Sequence, residues 1–246
     1  MPAWQKPFTV PEIHLEVFPP GSFYIEIPFT LARPYLSRDD NEFYIVDNPV
    51  QREKVFRWPM VRSTSWKGAL RSAMRRLGEM DAEAEKRLFG ETRDDETGFR
   101  GNLYFFSSFF SEADLEVINP HDRESGAGTL PILFESVPIG ATSTFYLLYI
   151  PLNVCCSPGE TIQQAVRDMA LVVSGIHAML LTYGFGAKTS SGYGITRDKL
   201  PEKGQLRMQW FEGLLPLPLV SITHLKRQAQ VLADKYRKYQ EGENDQ

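Results

Sequence analysis

The chain has 246 residues, 42% of them hydrophobic and 12% aromatic, which is enough to bury a full core in one large domain. Its 24% charged fraction excludes wholesale disorder. A formal net charge of −4 argues against a protein that coats nucleic acid through its overall charge.

Residues 23–32 are rich in aromatic and β-branched side chains and predict a strand. Pro28 within them predicts an edge position or a bulge. Residues 33–62 show no helical period and contain Pro34, Pro49 and Pro59, which marks a long functional loop. Residues 63–77 predict a helix. Ser63, Thr64 and Ser65 offer capping hydroxyls, and Trp66, Leu70, Ala73 and Leu77 share one face. Gly78 is its stop, and residues 82–89 predict a second short helix.

Residues 103–110 and 115–118 read as short strands, and residues 119–129 as loop by composition. Residues 130–137 and 143–150 predict two more strands. Pro158 then opens a long helix to about residue 181 with an apolar stripe that includes Ile162, Met169 and Ile176. A glycine-rich segment follows at 184–194. Residues 205–211 predict a strand, and 221–239 an amphipathic helix. The order strand, helix, strands, strands, helix, strand matches the β-α-β-β-α-β plan of an α+β, ferredoxin-like (RRM-like) domain. One domain over 1–246 is expected, with its core at about 20–212 and a C-terminal helix at about 221–240. Sheets of this plan hold single-stranded RNA in RRM proteins.

Adjacent Cys155 and Cys156 exclude a disulfide scaffold and cannot complete a structural zinc site. They read as reduced thiols in a reducing compartment. The first ten residues lack the apolar segment of a signal peptide, and no stretch reaches the roughly 18 apolar residues of a membrane helix. A cytoplasmic protein away from membranes is expected. His14, His121, His177 and His224 do not cluster. His177 reads as packed in a helix, and His121 is the loop histidine beside a carboxylate.

Three features carry chemistry. Residues 52–76 hold eight Lys and Arg against Glu53 alone, a local charge of +7, so the remainder sums to −11. This run joins a loop to a helix start, where Ser63, Ser65 and Lys67 meet helix N–H groups, a natural seat for phosphate. The glycine-rich segment 184–194 lets backbone approach phosphates closely. Its spacing fits neither a P-loop nor a dinucleotide fingerprint. Asp47 lies in the long loop beside the basic run. It could bind a divalent cation, position an attacking 2′-hydroxyl, or form an Asx turn ahead of Pro49.

These residues resemble the RAMP (repeat-associated mysterious protein) superfamily, the RNA-binding subunits of CRISPR effector complexes. Asp47-Asn48-Pro49-Val50-Gln51-Arg52, then Pro59, then Ser63-Thr64-Ser65-Trp66-Lys67-Gly68-Ala69-Leu70-Arg71 resemble the family's D-x-P-I/V-x-R, P, S-S-x-K-G-x-L/M-R block. Leu88-Phe89-Gly90 followed by Gly101-Asn102-Leu103-Tyr104-Phe105 is similar to its LFG and G-x-L-x-F spacing. Residues 184–194 end in the family's Gly-Tyr-Gly.

The resemblance implies a subunit of a type III (Cmr/Csm-like) effector, with a projecting thumb and other effector subunits as partners. Its groove would hold guide RNA through Arg52, Ser63, Ser65, Lys67, Arg71, Gly184, Gly186, Lys188, Ser190, Gly192 and Tyr193. It also implies that Asp47 cleaves complementary target RNA with Mg²⁺ or another divalent cation. The loop before Asp47 carries Asp39, Asp40 and Glu42 where cleaving subunits are often glycine-rich, and the glycine loop is also similar to that of a non-cleaving, end-capping subunit. A capping, architectural role is therefore the alternative.

Overall fold

A computed structural model of the chain describes residues 13–38, 48–91, 98–118, 131–152, 157–211 and 213–244. Asp47, His121, Cys155 and Cys156 lie outside them.

The fold is α+β. Nine strands follow in chain order: β1 (Phe23–Thr30), β2 (Met60–Val61), β3 (Leu103–Phe105), β4 (Ser108–Phe109), β5 (Asp114–Ile118), β6 (Ile132–Ser136), β7 (Thr142–Tyr149), β8 (Lys199–Trp210) and β9 (Gly213–Ser221). Four helices accompany them: α1 (Ser63–Leu77), α2 (Ala82–Phe89), α3 (Pro158–Ala178) and α4 (Ile222–Asn244). The main sheet has the order β3-β7-β1-β8-β9, and every neighbouring pair is antiparallel. β2 pairs with β4, and β5 with β6, as separate two-stranded ribbons.

Alternation sets the two faces of the sheet. Phe23, Ile25, Ile27 and Phe29 of β1 point into the main core. Phe145, Leu147 and Tyr149 of β7, and Leu206, Met208 and Trp210 of β8, join them there. Buried residues of α1, α3 and α4 complete that core. The alternate residues Tyr24 and Leu148 form a second cluster with Leu15 and Ile150.

Pro28 sits in the central strand β1, not at an edge. Its ladder with β7 is unbroken, but pairing with β8 ends at Glu26. The proline has no N–H to offer, and it lies just beyond the end of the β8 ladder, where Gly204 leaves room for its ring. β9 carries Pro216 and Pro218 and lies at the sheet edge, where two N–H groups can be missing without cost to a ladder.

α3 begins with a full capping box, Ser157 with Glu160. It continues through a π-helical turn at Met179–Tyr183 into the glycine-rich loop. By length and composition alone Pro158–Tyr183 could cross a membrane, with an 18-residue window of mean hydropathy 1.4, but 61% of that window is buried inside the protein, as in a core helix. Gly175 lets α1 approach α3: a Cβ there would lie 2.3 Å from Met74 Cγ. His177 is half-buried, and desolvation, with Lys226 nearby, holds its imidazole below the ordinary range.

Candidate functional site

An aromatic cluster joins the first helix to the glycine loop. The Trp66 ring lies 4.4 Å from that of Phe185 and 5.0 Å from that of Phe145. Its Nε1 donates to Ser108 Oγ at 2.9 Å. One buried tryptophan thus fixes α1, β7, β4 and the loop against each other.

The loop closes by backbone contacts that only glycine permits. Gly184, Gly186 and Gly194 all have positive φ. A Cβ would meet Tyr193 O at 2.3 Å, Leu36 O at 2.3 Å and Phe185 O at 1.9 Å respectively. In return, Ala187 N donates to Leu36 O and Gly194 N to Pro34 O, each at 2.8 Å. Gly192 differs: its φ is +83°, and open space surrounds the position of a Cβ.

Between this loop and α1 lies a cleft of about 500 Å³. Arg38, Arg62 and Arg76 line it, with the hydroxyls of Ser37, Thr64, Ser65, Ser72 and Thr189. Gly184 and Gly186 contribute backbone, and Gly68 and Gln51 complete the polar wall. Among the described residues no carboxylate lines it. Arg62 is the N-cap of α1, and no side chain caps the helix start. The first turn holds no acid. Its positive helix end therefore faces the cleft, and among the described residues no anion neutralises it. Arg76 lies 5.2 Å from the Tyr183 ring centroid, a cation–π contact that holds the guanidinium at the rim.

Of the residues expected from sequence, Ser65, Gly184 and Gly186 line this cleft. Ser63 opens the same helix. Lys67 and Arg71 do not line it. They lie on the next stripe of α1, where Glu85 of α2 binds Arg71 and also Arg75, the latter at 2.9 and 3.1 Å. Partial burial, then the charge of Arg71, lowers the Lys67 ammonium from its ordinary range. Arg52 pairs with Glu135 and donates to Arg57 O at 2.7 Å, which pins the segment before α1 to β6.

Lys188 stands in the left-handed region at φ +55°. Its Nζ lies 4.6 Å from the Phe134 ring centroid. Ser190 sits in an exposed turn at Thr189–Ser191. Burial, then neighbouring Glu116, raises the Tyr193 hydroxyl. The arginines that do line the cleft were legible only in part: Arg76 follows Ser65, Gly68 and Ser72 at helical spacing, whereas Arg38 arrives from a distant loop. Among the described residues no three His, Cys, Asp or Glu side chains meet; Asp47, the residue to which the resemblance ties a divalent cation, lies outside them.

An antiparallel sheet layered with helices, and a basic cleft at a helix start with no carboxylate among its described lining residues, characterise this α+β protein. Residues 16–197 match the sequence model of the RAMP superfamily, and the chain belongs to that superfamily. No curated protein matches it. Its fold is shared by solved structures, two of which follow. One is a chain of "Cryo-EM structure of the Type III-B Cmr-beta bound to cognate target RNA", at 15% identity and a TM-score of 0.50, covering 82% of this chain. This chain spans 61% of that one. The other belongs to a "CRISPR RNA-guided surveillance complex", at 18% identity and a TM-score of 0.51, covering 77% of this chain and 70% of the other.

Proposed function

We propose that this chain is an RNA-binding subunit of a type III CRISPR effector complex and that its cleft grips the backbone of the guide RNA. The observation that carries this reading is the cleft itself: three arginines, five serine and threonine hydroxyls and a helix start with no side-chain cap, with no carboxylate among its described lining residues. Phosphates would take charge-assisted bonds from the arginines and N–H bonds from the first turn of α1. Membership of the superfamily and the likeness to effector subunits support guide RNA, target RNA and neighbouring subunits as partners. The order β3-β7-β1-β8, with α1 after β1 and α3 after β7, supports a ferredoxin-like core to which β9 and α4 are added. The β5–β6 ribbon, with exposed Leu115, Val117 and Leu133, suits the thumb.

Replacing Arg62 and Arg76 together with alanine should weaken binding of a single-stranded RNA. It should also flatten the slope of log affinity against log salt by roughly 1.4, about 0.7 for each phosphate that is no longer neutralised on a single strand. An unchanged slope would remove the cleft from RNA binding.

The resemblance extends the reading to Asp47 as the residue that cleaves target RNA. In the assembled complex, Asp47→Ala should abolish target cleavage and leave guide retention intact. Full cleavage by that variant would make the chain an architectural, capping subunit.

A further inference from the structure

Gln51 stands apart in the cleft. It is a polar side chain only 5% exposed, yet it forms part of the wall. Its backbone is held on both sides: Gln51 N donates to Ser37 Oγ, and Met60 N donates to Gln51 O, each at 2.8 Å. Its side-chain amide is oriented as well. Nε2 donates to Arg52 O at 3.1 Å. A carbonyl can accept only from N–H, so this bond decides which end of the amide faces inward and leaves Oε1 toward the cleft. Among the described residues no donor reaches that oxygen.

The chemistry of the remaining wall makes this oxygen unusual. The arginines only donate, and the hydroxyls do both. Among the side chains of the described lining residues, that of Gln51 carries the one polar atom that can only accept, Oε1. Oε1 is not among the buried side-chain atoms without a partner, so it keeps contact with water; a ligand that covers it displaces that water and leaves a costly unpaired acceptor unless it brings a donor. The phosphates and ring oxygens of a nucleic-acid backbone bring none. The ribose 2′-hydroxyl does, and it is absent from DNA.

We propose that Gln51 Oε1 accepts a hydrogen bond from a ribose 2′-hydroxyl and makes the cleft selective for RNA over DNA. This rests on the reading of the cleft as an RNA-backbone groove.

The test titrates the full chain, at one fixed salt concentration, with three fluorescent single strands of identical base sequence: ribose, deoxyribose and 2′-fluoro. The 2′-fluoro strand keeps a ribose-like sugar pucker but has no donor. Wild type should bind the ribose strand about five- to tenfold more tightly than either other strand, the effect of one buried hydrogen bond. Gln51→Leu, checked for folding by its melting transition, should bring the ribose strand down to the level of the deoxyribose strand and move the other two less than about twofold. A 2′-fluoro strand that binds as well as the ribose strand overturns the proposal without any variant. So does a Gln51→Leu protein that keeps its ribose preference, or one that loses all three strands equally. Wild-type protein that binds none of the strands overturns the RNA-groove reading itself.

Discussion

Gly68 is the residue whose identity the fold does not explain. It lies in the first half of α1, where glycine costs about 1 kcal/mol relative to alanine. Nothing lies within 4 Å of where its Cβ would be. Gly175 makes the contrast, since a side chain there would collide with Met74. What Gly68 leaves open is the cleft wall, where a ligand could rest on the helix backbone itself. Gly68→Ala should therefore separate stability from binding. The melting temperature should rise by about 2–4 °C, as about 1 kcal/mol does in a domain of this size. RNA affinity should fall by on the order of tenfold, or ~1.4 kcal/mol. A stabilised variant with unchanged affinity would show that no ligand approaches the helix there.

At the scale of elements, a buried charge joins α2 to α3, beside the apolar contacts of Leu88 and Phe89. Asp168 of α3 is fully buried. Arg87 of α2 donates to it from Nε at 3.0 Å and Nη2 at 2.7 Å. Tyr149 OH and Gln164 Nε2 donate at 2.8 and 3.0 Å. Burial, then the carboxylate beside it, pushes the Tyr149 hydroxyl far above its ordinary range, so it remains a donor. Removing one partner of such a pair strands the other. Asp168→Ala should cost about 3–5 kcal/mol in urea unfolding, and a cost below about 1 kcal/mol would show that the pair holds nothing. Neither this pair nor the Glu85 bonds to Arg71 and Arg75 could be read from sequence, because each joins residues that meet only after the helices pack. The helices themselves were legible, since α1 and α3 carry an unbroken apolar period, α3 a capping box and α1 a C-terminal Gly78, although Ser63, Thr64 and Ser65, expected to cap α1, lie inside it and Arg62 is its N-cap. Strands were less so. Residues 103–110 read as one strand but divide between the main sheet and the β2–β4 ribbon. β9 went unread because its prolines mimic a loop until its edge position is known. The basic run located the cleft, but charge density along a sequence cannot say which stripe of a helix faces a ligand.

At the scale of the whole molecule, the question is which surface meets RNA. An RRM-like sheet would offer its open face. Here residues 13–18 lie across that face: Leu15 is fully buried, and Tyr24 and Leu148 are only 3% and 6% exposed. The cations on that side are engaged with rings, Arg207 over Tyr24 and Arg100 over Tyr104, each at 4.9 Å. The cleft at the start of α1 instead has no carboxylate among its described lining residues. The net charge of −4 is a sum over the whole chain, and only charges within about 8 Å act strongly on the cleft at physiological salt. The two surfaces therefore predict opposite outcomes for equal charge changes. Arg100→Ala with Arg207→Ala should leave RNA affinity within about twofold and its salt slope unchanged, since neither arginine neutralises a phosphate. Arg62→Ala with Arg76→Ala removes the same two charges and should lower both. Equal losses from the two pairs, measured on one RNA across a salt series, would mean that overall charge and not the cleft holds the strand.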